Sequence, residues 1–217
     1  AAPRGEAKST LVTNMLPIWT AIRDHYLFKG KSKIKFVAII MDSGEQAQTM
    51  LAAIKSEFES NARLKGDFPK VCGAGRVWNV GVILTANGIK MQAFGSGKKI
   101  RGVRHGPYRP GLVILDDIEN DENVESKEQR DKTHKWVKKS VLNVGPPDGS
   151  IKVFSINTIL HYDSVANRFQ SDVTWKSAKF SAIMNFPDRT DLWDEWERLY
   201  LNEGEDVADA FYYFNKA

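Results

Sequence analysis

Cysteine is almost missing from this chain, with Cys72 standing alone among 217 residues. One thiol cannot make an intrachain disulfide or a thiolate zinc cluster, which excludes a stapled scaffold and zinc-ribbon chemistry. Histidine is scarce too. His25, His105, His134 and His161 stand far apart with no HExxH or paired spacing, so a histidine metal site would need convergence of distant segments. No apolar run approaches the ~20 residues that cross a bilayer. Residues 1–10 read AAPRGEAKST and lack the apolar core of a secretion signal. These absences predict no membrane partner and a reducing, cytosolic setting.

What is present is globular in character. Apolar residues make up 42% and charged residues 27%, so the chain can bury a core. The length suits one large domain with a short tail. The formal charge of +4 implies little by itself, but its placement is uneven. Residues 90–109 carry Lys90, Lys98, Lys99, Arg101, Arg104 and Arg109 and no acid, whereas residues 116–131 carry eight acids against two bases.

Five short apolar runs read as strands: Lys35–Met41, Val80–Thr85, Lys90–Phe94, Gly111–Leu115 and Ile151–Ile156. Runs such as FVAII and LVIL are apolar without alternation, as in parallel strands buried on both faces. Helices are predicted over Ser9–Arg23, with Pro17 expected to kink or end the first, over Ser43–Ser60, and over Ser126–Leu142 behind a serine cap. Asn87-Gly88 predicts a hairpin between the second and third runs. The pattern is α/β, a mostly parallel central sheet flanked by helices with one inserted hairpin. Residues 1–186 are expected to form that domain. Residues 187–217, rich in acids and aromatics, are expected to be a linker or docking tail, with a helix over Asp191–Leu201 and an interruption at Gly204.

Three polar groups fall at the ends of these elements. Pro3-Arg4-Gly5-Glu6-Ala7-Lys8-Ser9-Thr10 approximates the phosphate loop GxxxxGK[ST], whose backbone N–H groups cradle phosphates, whose Lys reaches the terminal phosphates and whose Ser or Thr binds Mg²⁺. The pattern glycines are Ala2 and Ala7 here, so a plain surface turn is the alternative. Such a loop follows a buried strand. Only Ala1-Ala2 precede this one, so that strand is expected upstream and the chain is expected to be part of a longer protein. Second, the run Leu112–Leu115 delivers Asp116 and Asp117 at a strand end, where ligands sit in open α/β sheets. Such acids hold an Mg²⁺ shell and deprotonate an attacking water; the alternative is the start of a solvated acidic patch. Third, Ile151–Ile156 ends in Asn157-Thr158, either a γ-phosphate sensor or an ordinary strand end.

Taken together, PRGEAKST, GSGKKIRGVRHGPYRPGLVILDDIENDENVESKEQRDKTHKW and SINTILHYDS resemble the ATPase domain of the large terminase subunit of tailed bacteriophages, over residues 1 to about 170. The resemblance implies an additional-strand, conserved-glutamate (ASCE, RecA-like) P-loop NTPase. It implies ATP and Mg²⁺ as ligands and double-stranded DNA as cargo. It also implies a homo-oligomeric ring on the procapsid, with the portal protein and small terminase subunit as partners in the host cytoplasm. A C-terminal nuclease domain is expected beyond the tail. Carried over, Lys8 holds the β/γ-phosphates, Ser9 the Mg²⁺, and Arg4, Gly5, Glu6, Ala7 and Thr10 complete the cradle. Arg4 contacts or reports the γ-phosphate, and Asp116 holds Mg²⁺ through water. Asp117 stands where the family pattern has Glu, which leaves the general base open between Asp117 and Glu119. Ser155, Asn157 and Thr158 form the coupling segment. Arg101, Arg104 and Arg109 read as trans-acting arginine fingers or as phosphate contacts to DNA, which Lys98 and Lys99 would steer electrostatically; a solvated loop is the equal alternative. Two rival functions remain: a nucleotide- or DNA-binding module with a dead loop, and a helicase-like ATPase, for whose second RecA-like domain 217 residues leave no room.

Overall fold

Why the central runs show no polar alternation is clear from where their side chains go. The structure is a computed structural model that describes residues 1–26, 34–183 and 185–215, and of residues 24–26 the backbone alone. Phe36–Met41 forms β1; Val37 and Ile39 enter one apolar core while Ala38 and Ile40 enter another. Leu112 and Ile114 of the later strand Leu112–Asp116 join the first core, and Val113 and Leu115 the second. Strands covered on both faces have no polar side to show.

Helices supply the two covers. Ser9–Met15 is π-helical and runs into α1 (Leu16–Tyr26), and α2 (Gly44–Ser60) lies beside it on the first core through Leu51, Ile54 and Phe58. Ser43 caps α2 by accepting the Gln46 N–H at 3.1 Å. Asn61 caps the short α3 (Ala62–Asp67). Strands β2 (Ala74–Trp78), β3 (Val82–Thr85) and β4 (Lys90–Gly95) follow, then β5 (Leu112–Asp116). The short α4 (Asp121–Glu125) follows β5; the second core is covered by α5 (Lys127–Trp136) with its π-helical continuation Val137–Val141, and by α6 (Val165–Ser171), which follows β6 (Lys152–Ile156).

The sheet order is β2-β3-β4-β1-β5-β6. It is parallel from β4 through β6, and β2 and β3 are antiparallel at one edge. The chain is therefore α/β with a mostly parallel sheet between helices. The Asn87-Gly88 turn joins β3 to β4 as its sequence predicts: Gly88 takes φ +81° and donates its N–H to Thr85 O at 2.9 Å.

Some expectations change. The helix begun at Ser9 passes Pro17 and continues to Tyr26, because the wider π-helical turns ahead of Pro17 leave room for its ring. Ile151–Ile156 is not buried on both faces; β6 lies at the sheet edge with Phe154 44% exposed. The β2 strand, mostly exposed, gave no apolar run to read. The chain divides into two compact units, Ala1–Phe180 and Ser181–Ala217. The second contains α7 (Thr190–Glu203) and α8 (Glu205–Asn215), separated by Gly204 at φ +97° and joined by contacts such as Trp193 with Tyr212. Residues 216 and 217 of the expected tail, and the His25 side chain, lie outside the described residues. Among the described residues no helix is long and apolar enough to cross a membrane.

The end of β4 touches the start of α2. A Cβ at Gly95 would lie 2.8 Å from the Gly44 nitrogen, a contact between two backbones that cannot swing aside. Gly95→Ala should therefore cost about 1–3 kcal/mol, read as a lower denaturant midpoint at unchanged m-value.

Candidate functional site

The first site residues are set by backbone. Ala2 N–H donates to Asn157 O at 3.3 Å, and Phe180 N–H to Ala1 O at 3.0 Å, so the entrance to the loop is pinned beside the end of β6. Gly5 and Ala7 then take left-handed φ of +84° and +51°, and Leu11 N–H closes the first helical bond to Ala7 O at 3.0 Å. Ala7 thus holds a conformation that glycine adopts freely and alanine adopts at a cost of about 1–2 kcal/mol. Gly5, Glu6 and Thr10 are exposed. Arg4 donates to Asp121 Oδ2 at 3.1 Å, a mostly solvated pair.

Lys8, Ser9, Asp116, Asp117 and Thr158 come together from three segments. Lys8 Nζ donates to Pro3 O at 2.7 Å and to Thr158 Oγ1 at 3.1 Å. Ser9 Oγ donates to Asp116 Oδ1 at 3.1 Å, joining residues 107 apart in the chain. Asp116 has no exposed surface, and its second oxygen accepts the Thr13 hydroxyl at 2.7 Å. Burial pushes its carboxyl above the ordinary range, partly offset by the Thr13 and Ser9 hydroxyls. Asp117 has φ +41°, donates its N–H to Ile156 O at 3.0 Å, and accepts the Thr158 N–H on Oδ1 at 2.7 Å. Asn157 Nδ2 donates to Ser155 Oγ at 2.8 Å, which ties the two other residues of that segment to each other.

Glu119 turns elsewhere. Its Oε2 accepts the Val165 N–H at 2.8 Å at the start of α6, and its Oε1 is buried with no partner among the described residues. Burial raises its pKa, partly offset by the Val165 and Ala166 N–H groups. The loop leading to α6 is held by ion pairs. Arg130, 5% exposed, donates to the Val124 and Glu125 carbonyls and to Asp163, and Arg168 bonds both oxygens of Asp163. The Arg168 and Arg130 guanidiniums hold the Asp163 carboxyl well below the usual range.

Lys98, Lys99, Arg101 and Arg104 are exposed on the glycine-rich loop and Arg109 is half-buried. No hydrogen bond or ion pair among the described residues joins these five to Lys8, Ser9, Asp116 or Asp117. Thr13 and Arg130 are the site residues that sequence reasoning missed. A lone threonine in a helix carries no spacing signal, and Arg130 ends the family-like stretch VESKEQR without anything in the sequence giving it a partner.

No family model matches the chain, and no curated protein matches it.

The cluster offers an ammonium, two hydroxyls and two carboxylates at the C-terminal ends of β5 and β6. Among the described residues no group of three or more His, Cys, Asp or Glu converges to hold a metal. Ser9 and Asp116 provide two oxygen donors, which suits a hard ion that keeps most of its water, as Mg²⁺ does.

Two outcomes follow from the strain and the burial. Ala7→Val, forcing a β-branched residue into a left-handed φ, should cost about 2 kcal/mol of stability, while Ala7→Gly, which relieves the strain but adds chain entropy to the unfolded state, should be neutral or stabilising by up to about 1 kcal/mol, both read by thermal unfolding. A carboxyl whose folded pKa is raised binds protons more tightly folded than unfolded. Asp116 therefore makes stability fall as pH rises from the ordinary value of 3.8 through its raised folded value. Asp116→Asn should flatten that fall and raise the neutral-pH Tm by roughly 2–4 °C, about 1 kcal/mol.

Proposed function

We propose that this chain is a P-loop NTPase of the ASCE, RecA-like type and the ATPase motor domain of a terminase large subunit. It hydrolyses ATP to ADP and phosphate to translocate double-stranded DNA into a procapsid, in a homo-oligomeric ring with the portal protein and the small terminase subunit as partners. The observation that carries the ATPase reading is the Ser9–Asp116 contact across 107 residues, with Lys8 and Asp117 meeting at Thr158 beside it. The motor reading rests on the sequence elements that resemble large terminases.

In this reading Lys8 exchanges two neutral oxygens, Pro3 O and Thr158 Oγ1, for phosphate oxygens, a stronger charge-assisted bond. Ser9 and Asp116 would hold Mg²⁺, which when bound neutralises charge developing on the phosphates. Asp117 is the general base. Its carboxylate takes a proton from water as the water oxygen bonds to the γ-phosphorus and the bond to the β,γ-bridging oxygen breaks, leaving ADP. The bond from the Thr158 N–H supports this assignment by fixing the Asp117 carboxyl. The attachment of Glu119 to α6 favours a positioning role for that residue. The left-handed φ of Ala7 weakens the dead-loop alternative, because the missing glycine has not cost the loop its conformation.

Steady-state phosphate release with Mg·ATP, with and without duplex DNA, tests this. Lys8→Ala and Asp117→Asn should each lose about 10²-fold or more, the scale of a removed general base or phosphate contact, while Glu119→Gln keeps turnover within about tenfold. Wild-type protein with neither turnover nor a Tm rise on adding Mg·ATP would overturn the reading.

A further inference from the structure

A second feature lies at the same C-terminal end of the parallel strands, apart from the Lys8 cluster. A cleft of about 560 Å³ opens where Asp42 follows β1 and Ser96 follows β4, walled by α5 and the glycine-rich loop. Its cations come from two segments: Arg101 from the loop, and Lys132, Lys135 and Lys139 from the helix. Spacings of three and four put those lysines on one helical face, and all three are exposed. The loop is fixed against the helix. Trp136 Nε1–H donates to Lys98 O at 3.1 Å, Arg101 Nη2 to Lys139 O at 2.6 Å, and Ile100, 1% exposed, anchors the loop in the second core.

The pairing of charges singles out this face. Lys138 pairs with Asp172 at 2.8 Å and Lys127 with Asp131 at 2.7 Å. Among the described residues no carboxylate pairs with Lys98, Lys99, Arg101, Lys132, Lys135 or Lys139. The cleft's own carboxylate, Asp42, accepts from Asn120 Nδ2 at 2.9 Å. Like charges held together without counter-charges repel, and a polyanion relieves that. Lys132 to Lys139 spans about 10 Å of helix, against 3.4 Å per phosphate along one duplex strand, so the row meets several phosphates in succession. A single small anion cannot satisfy it. Trp136 is the one aromatic residue in the lining, so the cleft has no row of rings on which successive unpaired bases could stack.

We propose that this cleft and its lysine face bind the sugar-phosphate backbone of double-stranded nucleic acid, at a site that does not use Lys8. The choice of a duplex rests in part on the motor reading; the cation geometry does not.

The test is fluorescence anisotropy of a fluorescein-labelled 30-base-pair duplex with the whole chain, from 50 to 200 mM salt. Four phosphate contacts predict an affinity loss of about 100-fold over that range, and Lys132→Ala/Lys135→Ala/Lys139→Ala should lower the log–log salt slope by about 2.7. Lys135→Gln alone, a single exposed change, should lower it by about 0.9. Lys138→Ala on the paired face and Lys8→Ala should bind as wild type does. Equal salt slopes in wild type and the triple variant overturn the proposal. So does full displacement of the duplex by pyrophosphate at matched ionic strength, which would mark a small-anion site, or tighter lysine-dependent binding of a single strand. Lysine-dependent duplex binding with neither ATP turnover nor a Tm rise on adding Mg·ATP would sink the motor reading and leave the cleft standing. Turnover with lysine-independent duplex binding would do the reverse.

Discussion

Asp116 ends β5 with its carboxyl wholly inside the protein, and the local architecture follows from how that group is satisfied. An unpaired buried carboxylate costs several kcal/mol, so its oxygens must find donors. They find Ser9 and Thr13, one turn apart on the first helix, and this fixes which face of that helix meets the strand end. Helix rotation in turn decides where Lys8 emerges and where the preceding loop must close. The wide π-helical turns occur over these same residues, Ser9–Met15, a feature that recurs at functional sites because it re-aims side chains.

Strain is concentrated at the same place. Ala7 and Asp117 are the non-glycine residues with left-handed φ among the described residues, and both border Lys8 or Asp116 in sequence. Such conformations cost of order 1–3 kcal/mol and persist where surrounding contacts over-determine them. For Asp117 those contacts are visible: its N–H is tied to Ile156 O and its side chain to the Thr158 N–H. The strain orients a carboxyl toward the β6 end rather than letting it relax into solvent, as an exposed aspartate after a strand would.

The fold was legible where physics acts locally. FVAII and LVIL announce doubly covered strands, Asn87-Gly88 announces its turn, and Ser43 and Ser126 announce helix starts. The cluster of Lys8, Ser9, Asp116, Asp117 and Thr158 was legible because each residue sits at an element end. What was not legible depends on tertiary partners. Thr13 matters through a carboxylate 103 residues away, and Arg130 through carbonyls and an aspartate across a loop. Glu119 and Asp117 look interchangeable in the string DDIE. Only three-dimensional placement separates a side chain facing Thr158 from one capping α6. The open edge of β6 was hidden as well, since an edge strand with apolar residues reads like a buried one.

Residues 117–120 run from the Lys8 cluster to the basic cleft along the C-terminal ends of the parallel strands. Asp117 bonds the Thr158 segment, Ile118 is buried in the second core and lines the basic cleft, and Glu119 caps α6. Asn120 caps α4 and bonds Asp42 on the cleft floor. Four consecutive residues therefore carry contacts to the Lys8 cluster, to two helices and to the lining of the basic cleft. Their side chains are held at each station by hydrogen bonds or core packing, so a shift at either end works against tethers along the whole segment. A strained residue at its start and a bonded amide at its end make it a stiff connector, and stiffness is what a contact path needs if a change at Asp117 is to reach the cleft instead of dissipating in a loop.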